Sequence, residues 1–176
     1  AISYRESFGY DHFSIGLSVC VQKMVRSDLG ASGVAFSLDT ESGFKNVVVI
    51  NASFGLGEMI VQGSVSPDEY IVFKPTLKEN FSPIIEKKLG VKDKMMVYGD
   101  DPDERVKIIP TEKSLRERFC LTDETILKLS KWVQQIEEYY TTKKQKWTPM
   151  DVEWAIDGLS KDLFIVYNTI INDNKK

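Results

Sequence analysis

The sequence predicts an α+β domain in which several short strands accompany one long helix. Residues 47–52 form a run rich in β-branched side chains, which is typical of a strand buried on both faces. Residues 123–140 carry apolar side chains at helical spacing. Thr122 is a good N-cap for this helix, and Asp123 and Glu124 suit its first turn.

The remaining predicted elements are short. Residues 14–26 form an alternating stretch and are predicted to be a strand, with Leu17, Val19 and Val21 on one side and Cys20 and Gln22 on the other. A short helix is predicted at 59–62, and further strands are predicted at 31–38, 70–74, 84–88, 94–98, 105–109, 151–156 and 163–168. We expect one domain over residues 1–168 and a polar tail over 169–176.

Composition limits the class of protein. The chain has 176 residues with a net charge of -3, and a small acidic excess argues against a nucleic-acid-binding surface. No apolar run approaches the roughly 18 residues of a membrane span. Cys20 and Cys120 form no metal-binding pair, and two free thiols are typical of a reducing cytoplasm. The first residue is Ala1, so we expect a processed chain or a piece of a longer one.

Two carboxylates in the strand 151–156 form the first candidate site. Side chains alternate along a strand, so Asp151 and Glu153 share one face while Val152 and Trp154 share the other. Carboxylates roughly 7 Å apart along one face repel each other unless a cation lies between them. Hard oxygen ligands of this kind suit Mg²⁺ together with substrate phosphates. The alternative is an exposed acidic pair on a solvated strand.

Two other segments carry weaker signals. Gly55 and Gly57 precede Glu58, and glycines let backbone N–H groups approach an anion; the alternative is a tight strand-to-helix turn. In the segment Gln22–Val25, a Gln amide can bond an adenine edge and Met24 can pack on the ring; the alternative is the surface of an amphipathic strand.

Longer strings of the sequence resemble the phosphoenolpyruvate synthase (pyruvate, water dikinase) family, which is related to pyruvate phosphate dikinase. The strings that carry the resemblance are residues 17–36, 39–44, 52–58, 61–63, 66–70, 94–99 and 150–155. The resemblance implies an ATP-grasp-like nucleotide domain, of which this chain would be the second-lobe portion. In that family ATP, pyruvate and water become AMP, phosphoenolpyruvate and phosphate through a phosphohistidine on a separate domain.

The resemblance also assigns roles by position. It implies Mg²⁺ bound by Glu153 with Asp151 beside it, and ATP in a cleft lined by Glu58. Residues Gln22, Lys23, Met24 and Val25 would form the adenine-binding hinge, here called the hinge segment. The phosphohistidine and pyruvate-binding domains of the full-length enzyme would be partners, no catalytic residue is assigned to this chain, and it is expected to be inactive alone.

The chain departs from the family at the metal site. The family has a Gln and, two residues on, an Arg at the end of the strand after the acidic one, where this sequence has Tyr167 and Thr169. Tyrosine is a poor Mg²⁺ ligand at neutral pH, and threonine cannot neutralise phosphate charge. Two alternatives therefore stay open: a degenerate, non-catalytic interaction module, or the nucleotide domain of a related dikinase or antibiotic phosphotransferase.

Overall fold

The computed structural model describes residues 2–14, 16, 19–77, 79, 81–101 and 104–171. The strands within them are β1 (Ala31–Phe36), β2 (Val47–Phe54), β3 (Asp68–Phe73), β4 (Ile84–Lys88), β5 (Lys94–Tyr98), β6 (Val106–Pro110), β7 (Met150–Ile156) and β8 (Leu163–Ile170). The helices are α1 (Ile2–Ser7), α2 (Glu58–Val61), α3 (Lys113–Arg116) and α4 (Asp123–Lys144), and short 3-10 turns span Ser27–Leu29 and Lys74–Thr76.

Six strands form one sheet in the order β4-β3-β2-β1-β7-β8, and β5 and β6 form a separate hairpin. Every pairing in the large sheet is antiparallel. β1 lies at the centre between β2 and β7, so the sheet joins residues from both halves of the chain. The antiparallel sheet and the single long helix confirm the mixed α and β architecture that the sequence predicts.

The helix α4 covers one face of the sheet. Its residues Ile126, Leu129 and Val133 are fully buried in one apolar cluster with Ile50 of β2 and Val152 of β7. Burial of such side chains stabilises the fold by about 1.5–3 kcal/mol each. The opposite face carries alternate positions of the same strands, some of them half-buried, such as Val34, Asn51 and Glu153.

The ends of α4 follow from its capping residues. Thr122 has extended backbone angles and its hydroxyl accepts a hydrogen bond from the backbone N–H of Thr125 at 3.3 Å, as an N-cap should. The helix ends where Gln145 adopts the left-handed conformation, φ 53°. The predicted start is confirmed, and the helix continues beyond its predicted end at residue 140 to Lys144.

A buried ion pair ties β3 to the loops beside it. Asp68 and Lys92 are both fully buried, and Lys92 Nζ donates to Asp68 Oδ1, which also accepts from the Gly90 N–H at 2.8 Å. The other oxygen accepts from the Cys120 N–H at 2.8 Å and from the Tyr70 hydroxyl at 3.2 Å. Both oxygens of the buried carboxylate therefore have hydrogen-bond partners. Through these partners Asp68 links the start of β3 to the segments around Lys92 and Cys120.

The strand predicted over residues 14–26 is wrong for its described part. Residues 19–26 have no regular secondary structure and lead into the 3-10 turn Ser27–Leu29, while Ile15, Leu17 and Ser18 lie outside the described residues. The predicted alternation is not kept either, because the consecutive residues Gln22, Lys23, Met24 and Val25 all line one cleft. A strand requires a hydrogen-bonded neighbour, and residues 19–26 pair with no strand in the described part of the chain.

The other predicted elements are present with small boundary changes. Strands 84–88 and 94–98 are confirmed residue for residue, while β1 is shorter than predicted and β8 is longer. The predicted tail begins at Thr169, yet Thr169 and Ile170 belong to β8 because they pair with Asp151 and Met150. Residues 172–176 lie outside the described residues.

Candidate functional site

A cleft of about 860 Å³ opens at one end of the large sheet, which is within the size range of small-molecule sites. Its walls come from the hinge segment, from α2, and from the neighbouring ends of β1, β7 and β8. All four residues of the hinge segment line it, together with Glu58 and Glu153. The structure thus brings together every predicted site residue except Asp151.

Glu153 reaches the cleft because of its position in β7. It lies beside Val34 of β1 and opposite Tyr167 of β8, on the half-buried face of the sheet. The neighbouring Trp154 points towards the core and is 1% exposed. A bulge between Glu153 and Trp154 shifts the register with β8. Trp154 and Ala155 also contribute to the cleft wall.

Asp151 lies on the same face of β7, two residues before Glu153, and does not line the cleft. Burial raises the pKa of the Asp151 carboxyl above its ordinary value, and the nearby Glu153 carboxylate raises it further. Its Oδ1 is buried and has no hydrogen-bond partner among the described residues. The pair therefore has the unfavourable charge that a bound cation would relieve.

The strand opposite this pair supplies no compensating charge. Tyr167 pairs with Glu153, and Thr169 pairs with Asp151. Tyr167 is 59% exposed. Among the described residues that line the cleft, Lys23 is the cationic side chain. Tyr167 and Thr169, which stand where the resemblance leads us to expect a Gln and an Arg, thus lie directly beside the carboxylates.

The glycine-containing turn before α2 serves packing. Gly55 has φ +87°, and a Cβ there would lie 2.5 Å from the Met96 carbonyl oxygen. The Ser32 hydroxyl donates to the Gly55 carbonyl at 2.6 Å, which fixes the turn against β1. With only four residues, α2 offers little helix dipole to an anion. The tight-turn alternative is therefore favoured, and the turn directs Glu58 into the cleft.

The cleft includes residues that the sequence patterns did not indicate. Tyr98 at the end of β5 and Asp157 after β7 both contribute to the wall, as does Phe164 of β8. Tyr98 lies in one of the strings that resemble the family, and this was the available signal. Asp157 directly follows the predicted strand 151–156, and no motif in the sequence marks it as part of a site.

A closed metal centre was not found. Within residues 2–14, 16, 19–77, 79, 81–101 and 104–171, no group of three or more His, Cys, Asp or Glu side chains is arranged to hold a metal ion. Asp151 and Glu153 provide two carboxylates, which suits a Mg²⁺ ion that takes its other ligands from phosphates and water. The donor set fits a shared cation and does not form a complete protein cage.

The fold and the cleft define a mixed α and β domain with a small-molecule site lined by acidic and apolar residues. Residues 1–168 match the family described as pyruvate phosphate dikinase, AMP/ATP-binding domain. The chain belongs to this family.

Similar proteins are phosphoenolpyruvate synthases. The chain is 62% identical over 166 residues to the phosphoenolpyruvate synthase of Aquifex aeolicus. The matched region covers 94% of this chain and 19% of the relative. The chain is 49% identical over 168 residues to the synthase of Escherichia coli, covering 94% of this chain and 20% of the relative. It is 38% identical over 180 residues to the probable enzyme of Pyrococcus abyssi, covering 100% and 20%. The chain thus spans about a fifth of the length of these relatives.

None of the helices in the described part of the chain combines the length and the apolar character needed to cross a membrane.

Proposed function

We propose that the chain binds ATP in the cleft, as the nucleotide-binding portion of a phosphoenolpyruvate synthase. One observation carries the proposal: the hinge segment, Glu58 and Glu153 all line one cleft, although they are far apart in the sequence. The family match over residues 1–168 supports the same ligand. In this proposal the fold is the second-lobe portion of an ATP-grasp-like domain.

The cleft suggests an orientation for the nucleotide. Met24 is 65% exposed and Val25 is half-buried, so the hinge segment presents apolar surface on which an adenine ring can pack. Glu153 would face the phosphates at the other side, with Asp151 behind it. The carboxylates and the phosphates are all negatively charged and repel one another. Mg²⁺ would supply positive charge between them.

The complete reaction requires parts that the relatives contain beyond this portion. We propose that full-length enzyme converts ATP, pyruvate and water to AMP, phosphoenolpyruvate and phosphate, with phosphohistidine and pyruvate-binding domains as partners. Both cysteines are free thiols, which supports a cytoplasmic location. This chain alone is expected to bind nucleotide without completing the reaction.

A second candidate is a non-catalytic module that has lost metal-dependent chemistry. It is favoured by Tyr167 and Thr169, which lie directly opposite Glu153 and Asp151 and offer neither a strong Mg²⁺ ligand nor a positive charge. This candidate predicts nucleotide binding that does not respond to Mg²⁺, or none at all.

Calorimetric titration of the 176-residue chain with ATP, with and without Mg²⁺, tests the proposal. We expect binding that Mg²⁺ strengthens, and we expect Glu153→Gln to remove most of that strengthening because one ligand charge is lost. Glu86→Gln, which changes an exposed glutamate on β4, is the matched control and should bind as the unmodified chain does.

Two results would contradict the proposal. The absence of binding heat at millimolar ATP would remove the nucleotide-binding function. Phosphoenolpyruvate formed from ATP and pyruvate by this chain alone would show that it is not merely a binding portion. Binding of ATP with equal affinity in the presence and absence of Mg²⁺ would favour the non-catalytic module.

A further inference from the structure

We infer that Asp157 is a positioning residue for nucleotide binding, because its carboxylate fixes the hinge segment through the backbone of the next residue, Arg26. The inference rests on the proposed function of the cleft. It concerns a residue that acts through another part of the chain as well as forming part of the cleft wall.

The turn between β7 and β8 holds Arg26 by both of its backbone polar groups. The Arg26 N–H donates to Asp157 Oδ2 at 3.2 Å. The Gly158 N–H donates to the Arg26 carbonyl at 2.9 Å. Arg26 and Asp157 are 131 residues apart in the chain, so these bonds fix the end of the hinge segment to a distant part of the sequence, the turn between β7 and β8.

The turn itself is well held. Asp157 Oδ1 accepts from the N–H groups of Leu159 at 2.8 Å and Ser160 at 3.1 Å. The Asp157 N–H donates to the Asp162 carbonyl at 3.0 Å. These backbone donors, with that of Arg26, hold the pKa of the Asp157 carboxyl below its ordinary value, so the group is ionised at neutral pH.

Two glycines bring the backbones into direct contact. A Cβ on Gly158 would lie 2.3 Å from the Leu29 carbonyl oxygen, and a Cβ on Gly30 would lie 2.3 Å from the Ile156 carbonyl oxygen. No side chain can therefore separate the turn Ser27–Leu29 from the turn after β7. Such a close approach leaves little freedom for the residues just before Ser27.

The hinge segment depends on this attachment because it has no regular secondary structure. Gln22, Lys23 and Met24 are all exposed, so packing does little to define their positions. Fixing Arg26 sets the backbone that faces the adenine ring. Pre-organised backbone improves affinity by reducing the ordering cost on binding, and the benefit should fall on the base more than on the phosphates.

The test compares Mg·ATP with Mg·GTP, because a fixed hinge should distinguish the two bases while the phosphates are identical. Asp157→Asn keeps one side-chain oxygen, which can still accept from the backbone N–H of Leu159. Its amide N–H₂ replaces the other oxygen and cannot accept from the Arg26 N–H, so that hydrogen bond is lost. We expect ATP binding to weaken about tenfold, with GTP binding nearly unchanged. The preference for ATP over GTP, measured by calorimetry, should therefore fall.

Asp39→Asn is the matched control. The Asp39 carboxylate also closes a turn by accepting from the Glu41 N–H, at 3.0 Å, and from the Ser42 hydroxyl. It follows the end of β1 that lies away from the cleft. This variant should retain the affinity for ATP and the preference over GTP.

A second pair of variants acts on the other partner and serves if Asp157→Asn does not fold. Arg26 has φ -81°, which proline can adopt, so Arg26→Pro removes the N–H donor without reversing the backbone. Arg26→Ala removes the side chain and keeps the N–H. The preference for ATP over GTP should fall further in Arg26→Pro than in Arg26→Ala.

The outcomes separate the two proposals. If the unmodified chain does not bind ATP, the proposed function fails. If it binds ATP and the preference is the same in Asp157→Asn, or in Arg26→Pro and Arg26→Ala, the positioning role is overturned while nucleotide binding stands. An equal loss for ATP and GTP would also overturn it, since this would mark a purely structural effect.

Discussion

At the scale of single residues, the acidic pair in β7 is unfavourable for stability and suited to binding a cation. Asp151 and Glu153 share a face, Asp151 Oδ1 lacks a partner among the described residues, and burial together with Glu153 raises the pKa of the Asp151 carboxyl. A chain selected only for stability would place a neutral or apolar side chain there. The unfavourable charge is typical of a site that binds a cation or another charged ligand.

The pair predicts a stability change when its charge is reduced. In the folded chain the pKa of Asp151 lies above the ordinary value of 3.8, so the folded state holds the proton more tightly than the unfolded state does. The free energy of unfolding therefore falls as the pH rises from 3.8 through the folded pKa. Asp151→Asn should remove this loss and stabilise the metal-free chain at pH 7 by less than about 1 kcal/mol, given solvent screening.

Thermal unfolding followed by circular dichroism at several pH values checks this prediction. At pH 7 the Asp151→Asn variant should unfold at a higher temperature than the unmodified chain does. This difference in unfolding temperature should shrink as the pH approaches 3.8. A variant that is less stable at pH 7 would show that the Asp151 carboxylate has a stabilising partner.

At the scale of secondary-structure elements, β3 is held by ionic contacts as well as by its place in the sheet. Asp68 at its start bonds to Lys92, to Gly90 and to the backbone that precedes α4. The string 66–70 that resembles the family therefore includes a residue whose role is structural. The same string overlaps the predicted strand 70–74, which begins two residues earlier than predicted, at Asp68.

Removal of one member of this buried pair should be costly. Lys92→Met leaves the Asp68 carboxylate buried without its counter-charge, and the expected loss is about 3–5 kcal/mol in the free energy of unfolding. Lys107→Met is the control, because Lys107 pairs with the exposed Asp100 and this contact should add little. Urea unfolding of both variants measures the difference; similar losses in the two would contradict the structural role.

At the scale of the whole molecule, the sheet depends on pairing between distant parts of the chain. β1 lies between β2 and β7, and β7 comes from near the end of the sequence. The core cluster likewise combines residues of β1, β2, β3, α4 and β7. We therefore expect the described sheet and α4 to unfold as one cooperative unit.

Two truncations test this cooperativity. Removal of residues 147–176 deletes β7 and β8, exposes the centre of the sheet, and should abolish the unfolding transition seen by circular dichroism. Removal of residues 1–14 deletes α1, which has no buried residue, and should leave the transition nearly unchanged. A cooperative transition in the first truncation would show that β1–β4 and α4 suffice.

Local sequence pattern determines much of this fold independently of tertiary contacts. The β-branched run 47–52, the capped helix that begins after Thr122, and the carboxylates on one face of the strand 151–156 were all confirmed. These features depend on neighbouring residues, because side-chain direction repeats with a short period. The family resemblance was confirmed by the match over residues 1–168.

The sequence by itself thus determined the class of fold, the identities of the helix and most strands, and the family. Tertiary structure alone decided that Asp151 lies away from the cleft, that residues 19–26 form no strand, and that Asp157 holds Arg26. Each of these depends on partners distant in sequence, such as the 131 residues between Arg26 and Asp157. Backbone hydrogen bonds and close contacts between distant segments leave no periodic trace in the sequence, so only the folded chain shows them.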